Sequence, residues 1–154
     1  MRKPGAAHAR RSESGQSLVE FIGFATALLI ILGGVLEIGR AYFAYVAIEN
    51  GAGEGALYAA YHPTWIDGDS SDGEQPQFEN IIYRTTHESP SGIVDWNLAR
   101  VIVEQPATLA VGEPITVSVI YSHTLMTPFI TILSDDGILP LRAQAIHLII
   151  RLDE

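Results

Sequence analysis

The stretch SESGQSLVEFIGFATALLIILGGVLEIGR, residues 12–40, decides how this chain is built. Its centre, Phe21 to Leu36, is sixteen residues without a charge, slightly under the ~20 that a helix needs to span hydrocarbon. The run is apolar on all sides and has a basic flank, which argues against a buried helix of a soluble protein. An ordinary cleaved signal peptide would want a small-x-small site just after the run. EIGR stands there, with Ala44-Tyr45-Val46-Ala47 a little further on. The best reading is a transmembrane helix with its span at about residues 18–38.

Charge sets the expected orientation. The 154 residues carry a formal net charge of -9, unevenly spread. Arg2, Lys3, Arg10 and Arg11 face only Glu13 in the first fifteen residues, whereas from Ala41 onward four arginines face fifteen acidic residues. Cations beside an apolar span stay cytoplasmic, so the expectation is a single-pass protein of the cytoplasmic membrane with its N-terminus inside and its C-terminus outside. A basic surface for displacing counterions from nucleic acid is missing from the acidic part. The chain has no cysteine, which excludes a disulfide framework, thiolate catalysis and cysteine-ligated zinc.

Past Leu36 the pattern stays helical. Glu37 and Arg40, three residues apart, share a face and are expected to form an interfacial ion pair where the helix leaves the membrane. Tyr42, Phe43 and Tyr45 follow at a position that suits headgroup contact. Ala41, Ala44, Ala47, Gly51 and Gly55 form a small-residue stripe that would let another helix approach. The alternative is that Gly51, Gly53 and Gly55, each costing roughly 1 kcal/mol in a helix, end it near Asn50.

Glu20 stands at the edge of the span, where an unpaired carboxylate is expensive. It either favours the N-terminal end of the helix dipole near headgroup water or meets a cation in an assembly of parallel helices. A cut after Gly15 would make Gln16 the new N-terminus and Glu20 the fifth mature residue, with a neighbour's α-amino group as its counter-ion.

This arrangement resembles the signal of type IV prepilins. More specifically, Gly15, Gln16, Val19, Glu20 and Phe21, then Glu37, Gly39 and Arg40, then Asn50, Ala52, Glu54, Gly55, Ala56 and Ala59 resemble the TadE-like family of minor pilins or pseudopilins of tight-adherence (Flp) pili. The resemblance covers about residues 12–60. Gly53 departs from it, standing where a larger polar residue is usual, and Phe21 stands where the major Flp pilins tend to have tyrosine. What the resemblance implies is a cytoplasmic leader, residues 1–15, removed by a prepilin peptidase at Gly15–Gln16, and a helix over 16–60. It also implies an assembly role for Glu20 and Phe21, with other TadE-like minor pilins, the major Flp-type pilin and the inner-membrane platform as partners. The subunit either enters an extracellular pilus or stays in the membrane complex.

Residues 61–99 read as polar and loop-rich. DGDSSDGEQPQ, residues 67–77, invites a calcium reading, with Asp67, Asp69 and Asp72 as candidate ligands. Counted from Asp67, an EF-hand loop would need glycine at Asp72 and glutamate at Phe78, so a solvated acidic loop is the better reading and no metal is expected. Ile81 to Thr86 is open between strand and helix end, and Val94 to Leu98 between turn and coil.

In residues 100–154, RVIVE (100–104), ITVSVIY (115–121) and AQAIHLIIR (143–151) are β-branched and partly alternating, as antiparallel strands are. MTPFITILSDDGILPL, residues 126–141 between the strands, resembles the apolar connection of the TadE-like family and is open between a short helix and a contact surface. A sheet this apolar needs a cover, and the distal half of the long helix is at hand. The expected fold class is α+β, a pilin-like N-terminal helix packing its outer half on a small antiparallel sheet.

No nucleophile and base constellation stands out. His62, His87, His123 and His147 are scattered, His8 lies in the leader, and no zinc spacing occurs. The chain reads as an assembly subunit rather than an enzyme, without a cofactor. The competing readings are a membrane-anchored extracellular binding module that never polymerises, and an ordinary secreted protein cut after the apolar run.

Overall fold

A computed structural model describes residues 9–67, 79–87, 92, 94–127 and 136–152, with the side chains of the first helix described from Gly15 onward. The elements are a long helix α1 (Ala9–Tyr61), a short helix α2 (Ile81–His87), a 3-10 turn (Trp96–Leu98), and strands β1 (Ala99–Glu104), β2 (Pro114–Thr124) and β3 (Ile138–Leu148). The sheet is antiparallel in the order β1-β2-β3. The α+β class expected above is the one found.

At 1.5 Å per residue, the 53 residues of α1 reach about 80 Å. The two halves of α1 meet different surroundings. Leu18, Phe21, Phe24, Leu29 and Leu36 are all exposed, whereas Ala44, Ile48, Ala52, Ala56, Ala59 and Ala60 are fully buried. The N-terminal half alone is long and apolar enough to cross a membrane. The C-terminal half lies on the sheet, against β2 and β3.

Small residues make that packing close. β2 turns Ile115, Val117, Val119 and Tyr121 toward the helix, all buried, as alternation along a strand requires. One part of the core joins Ala44, Ile48 and Ala52 to Val119, Tyr121 and Ala143. The other joins Ala56 and Ala59 to Ile81, Ile115, Val117 and Ile149.

The glycines do not end the helix. A Cβ on Gly51 would lie 2.5 Å from the Thr85 carbonyl oxygen and 2.9 Å from the Trp96 ring, and one on Gly55 would collide with the Thr85 hydroxyl. The neighbour that the stripe admits is therefore α2 of the same chain, held so close that Cβ atoms have no room. Buried Thr85 uses its hydroxyl within α2, donating to Ile81 O at 2.7 Å.

The far end of α1 is closed by the C-terminal tail. Ala60 O accepts from the Ile150 N–H at 2.8 Å and Tyr61 O from Arg151 Nε at 3.4 Å. These satisfy carbonyls that no helical turn can reach and put a cation at the negative end of the dipole.

The third strand departs from expectation. It begins at Ile138 instead of Ala143 and ends at Leu148 instead of Arg151. Pro140, which argues against a strand interior, sits opposite Ser122 on an edge strand, where a missing N–H costs no ladder bond on the open side. Beyond the strand, Ile149 still exchanges backbone bonds with Gly112 and Glu113, and Ile150 turns to α1. Residues 138–141 of the expected connection are thus strand, and residues 128–135 lie outside the described residues. Ile81–His87 is helical, and Asp95 caps the 3-10 turn by accepting from the Asn97 N–H at 3.0 Å.

The packing predicts opposite signs for neighbouring substitutions. Gly51→Ala should lower stability by about 1–3 kcal/mol, because the clash is with backbone that cannot yield. Gly53→Ala, with nothing within 4 Å, should raise it by up to about 1 kcal/mol through helix propensity. Thermal unfolding of the detergent-solubilised protein, followed by circular dichroism, checks both. A stabilising Gly51→Ala would rule out the close approach.

Candidate functional site

The chemistry gathers where the exposed half of α1 gives way to the buried half. Glu37 is only 4% exposed, and a buried carboxylate must find donors. Arg40 Nη1 donates to its Oε1 at 2.8 Å, so the two residues read together from the sequence do meet. The other oxygen, Oε2, accepts from the Thr127 hydroxyl at 2.9 Å, the Met126 N–H at 3.2 Å and the Thr127 N–H at 3.3 Å. One carboxylate on the helix thereby holds the chain just past the end of β2. The Thr127 methyl lies over Gly33, where a Cβ would come within 3.1 Å of it.

These contacts are unequal. The Arg40 side chain is 43% exposed, so water screens its pairing to about 0–1 kcal/mol. A hydrogen bond to a buried charge contributes about 1.5–3 kcal/mol, and the Thr127 hydroxyl makes the shortest of the three at Oε2. The two N–H contacts are at or beyond the usual length. Thr127, more than Arg40, ties the sheet to the helix.

His123, from the end of β2, is buried against the same carboxylate. Its Nε2 lies 3.5 Å from Glu37 Oε1, and neither ring nitrogen has a hydrogen-bond partner among the described residues. Arg40, His123, Phe43 and Gly92 line a small cavity of about 260 Å³. His147, in contrast, is exposed on β3.

The other expected site residues lie elsewhere. Gly15 and Gln16 are within α1 and exposed, as are Glu20 and Phe21. Gln16 Nε2 donates to Glu20 Oε1 at 3.0 Å, one helical turn on. Glu20 is 17 residues from Glu37, about 26 Å along the helix, so the structure does not bring them together. Asp67 is exposed at a bend, and Asp69 and Asp72 lie outside the described residues. Among the described residues no group of three or more His, Asp or Glu could hold a metal.

The residues missed from sequence are Met126, Thr127 and His123. Thr127 is 90 positions from Glu37, and no local pattern marks a threonine whose acceptor is that far away. The one available signal was Glu37 itself, a carboxylate beside an apolar run that needs more than a single exposed arginine.

Thr127→Val should lower the unfolding midpoint of the detergent-solubilised protein by several degrees, matching about 1.5–3 kcal/mol. Arg40→Gln should lower it less. A larger loss for Arg40→Gln than for Thr127→Val, read by thermal circular dichroism, would mean that the ion pair rather than the hydroxyl holds Glu37.

No curated protein and no solved structure matches the chain. A family model does match, and it falls on the helix just described. The TadE-like family, tied to the machinery of tight-adherence pili, is not an enzyme family. Residues 15–57, all within the long helix, match the model described as TadE-like protein.

Proposed function

We propose that this chain is a minor pilin or pseudopilin of a Tad/Flp-type pilus, cut after Gly15 by a prepilin peptidase and anchored by residues 18–38 with its sheet outside. The carrying observation is the division of α1, apolar and uncovered before Glu37, buried by its own sheet after it. A subunit of this shape can stand in the bilayer by its first half and present a folded domain on its second. It can also exchange lipid for neighbouring helices without disturbing the core, because no core residue comes from Phe21 to Leu36.

Glu20 fits the assembly role on energetic grounds. It is exposed, and among the described residues Gln16 is its hydrogen-bond partner. In lipid that single neutral partner leaves a charge costly to insert. Cleavage after Gly15 would turn Gln16 into an α-amino terminus, and the new cation of one subunit could then neutralise Glu20 of the next. Other TadE-like subunits, the major pilin and the inner-membrane platform are the partners that this reading names.

The decisive measurement is the N-terminus and intact mass of the protein from its own host, beside Gly15→Ala and Glu20→Ala. The expected mature chain begins at Gln16, Gly15→Ala stays uncut, and Glu20→Ala is cut but does not enter the assembly. A chain that keeps residues 1–15 would favour a membrane-anchored binding module that does not polymerise. A cut beyond Leu36 would favour a secreted protein.

A further inference from the structure

Beside Glu37, on the face of α1 away from Arg40, the helix and the sheet do not close on each other. They leave a partly open groove of about 680 Å³, walled by Ile30, Ile38 and Tyr45 of α1 and by Leu125, Leu139 and Leu141 at the ends of β2 and β3. Its floor is low because Gly34 and Ala41 carry little side chain. Glu37 borders it, but its carboxylate is already engaged by Arg40 and Thr127. The surface is almost wholly apolar, its polar groups besides Glu37 being the hydroxyls of Tyr42 and Tyr45.

We propose that this groove holds one acyl chain of a membrane lipid. Its volume lies within the range of small apolar ligand sites, about 300–1,000 Å³. An extended peptide would bring backbone N–H and C=O groups that the walls cannot satisfy, at several kcal/mol each. A second helix satisfies its own backbone but is about 10 Å across, far wider than an acyl chain. An acyl chain asks for no hydrogen bond and is thin enough.

Position gives the same answer. The proposal rests on the membrane insertion argued above. Ile30, Gly34 and Ile38 are in that span or at its edge, and the uncovered apolar surface of α1 continues into the groove without a charged residue between. Tyr42 and Tyr45, both exposed, stand at the end where headgroups would lie. A lipid seated here would tie the base of the sheet to the bilayer as well as to the helix.

The test is photolabelling of the full chain in phosphatidylcholine liposomes doped with a phosphatidylcholine bearing a diazirine on its acyl chain, with labelled residues mapped by mass spectrometry. Label is expected on Phe21 to Leu36 and also on Leu125, Leu139 or Leu141, which belong to the sheet. Ala41→Trp and Gly34→Leu, filling the groove from two different turns, should each cut the strand label severalfold and leave the helix label unchanged. Helix label without strand label overturns the groove assignment and leaves the membrane reading intact. Label on neither overturns both. Strand residues crosslinked to a second copy would assign the groove to another subunit instead.

Discussion

A carboxylate that is neither in water nor paired cannot be kept ionised, and Glu37 is placed where α1 stops being an uncovered apolar rod and becomes the spine of a small domain. Satisfying it requires donors, and most come from the far side of the chain, at Met126 and Thr127. That need connects the register of the sheet to the position of the helix. A slip of β2 by one residue would turn its buried face outward and also withdraw the Thr127 hydroxyl. Polar satisfaction and apolar alternation thus select the same arrangement.

Beyond Glu37 the helix is built from small residues, and the reason is geometric. A three-stranded sheet has little area with which to cover a helix, and two large surfaces in contact would hold each other apart. Alanine and glycine let β2 and α2 come to the backbone itself, so that Ile48, Ile81, Ile115 and Val117 can be wholly buried around a helix with almost no side chains on that face. Glycine weakens a helix by roughly 1 kcal/mol. Here the contact of Gly51 and Gly55 with Thr85 and Trp96 offsets that loss.

How much was legible in the sequence follows from whether each signal was local. The sixteen-residue apolar run announces the helix, and β-branched alternation announces three antiparallel strands, because both are periodicities within one segment. The third strand begins earlier than expected because Pro140 is tolerated in a strand only at a sheet edge, and that its strand lies at an edge is a property of the whole sheet. The glycines gave two readings for the same reason, since only the position of α2 distinguishes a contact surface from a helix end. Of the site, the Glu37–Arg40 contact lay within one helical turn and could be read. Met126, Thr127 and His123 approach from across the fold and could not.

The same division bears on whether a chain of this design is better suited to assembly or to standing alone. A receptor anchored once needs its membrane helix only to be apolar, and a carboxylate at position 20 would be a burden that selection could remove without loss. In an array of parallel helices, a carboxylate near each N-terminus gains a counter-ion from its neighbour, and the cost of one buried charge becomes a preference for a fixed axial stagger. Among the described residues Glu20 is held by Gln16, whereas Glu37 has donors from its own helix and from the chain past β2. Of the two carboxylates bordering the apolar run, the inner one is therefore satisfied by folding, and the outer one is the one that the assembly proposed above would pair with a second chain.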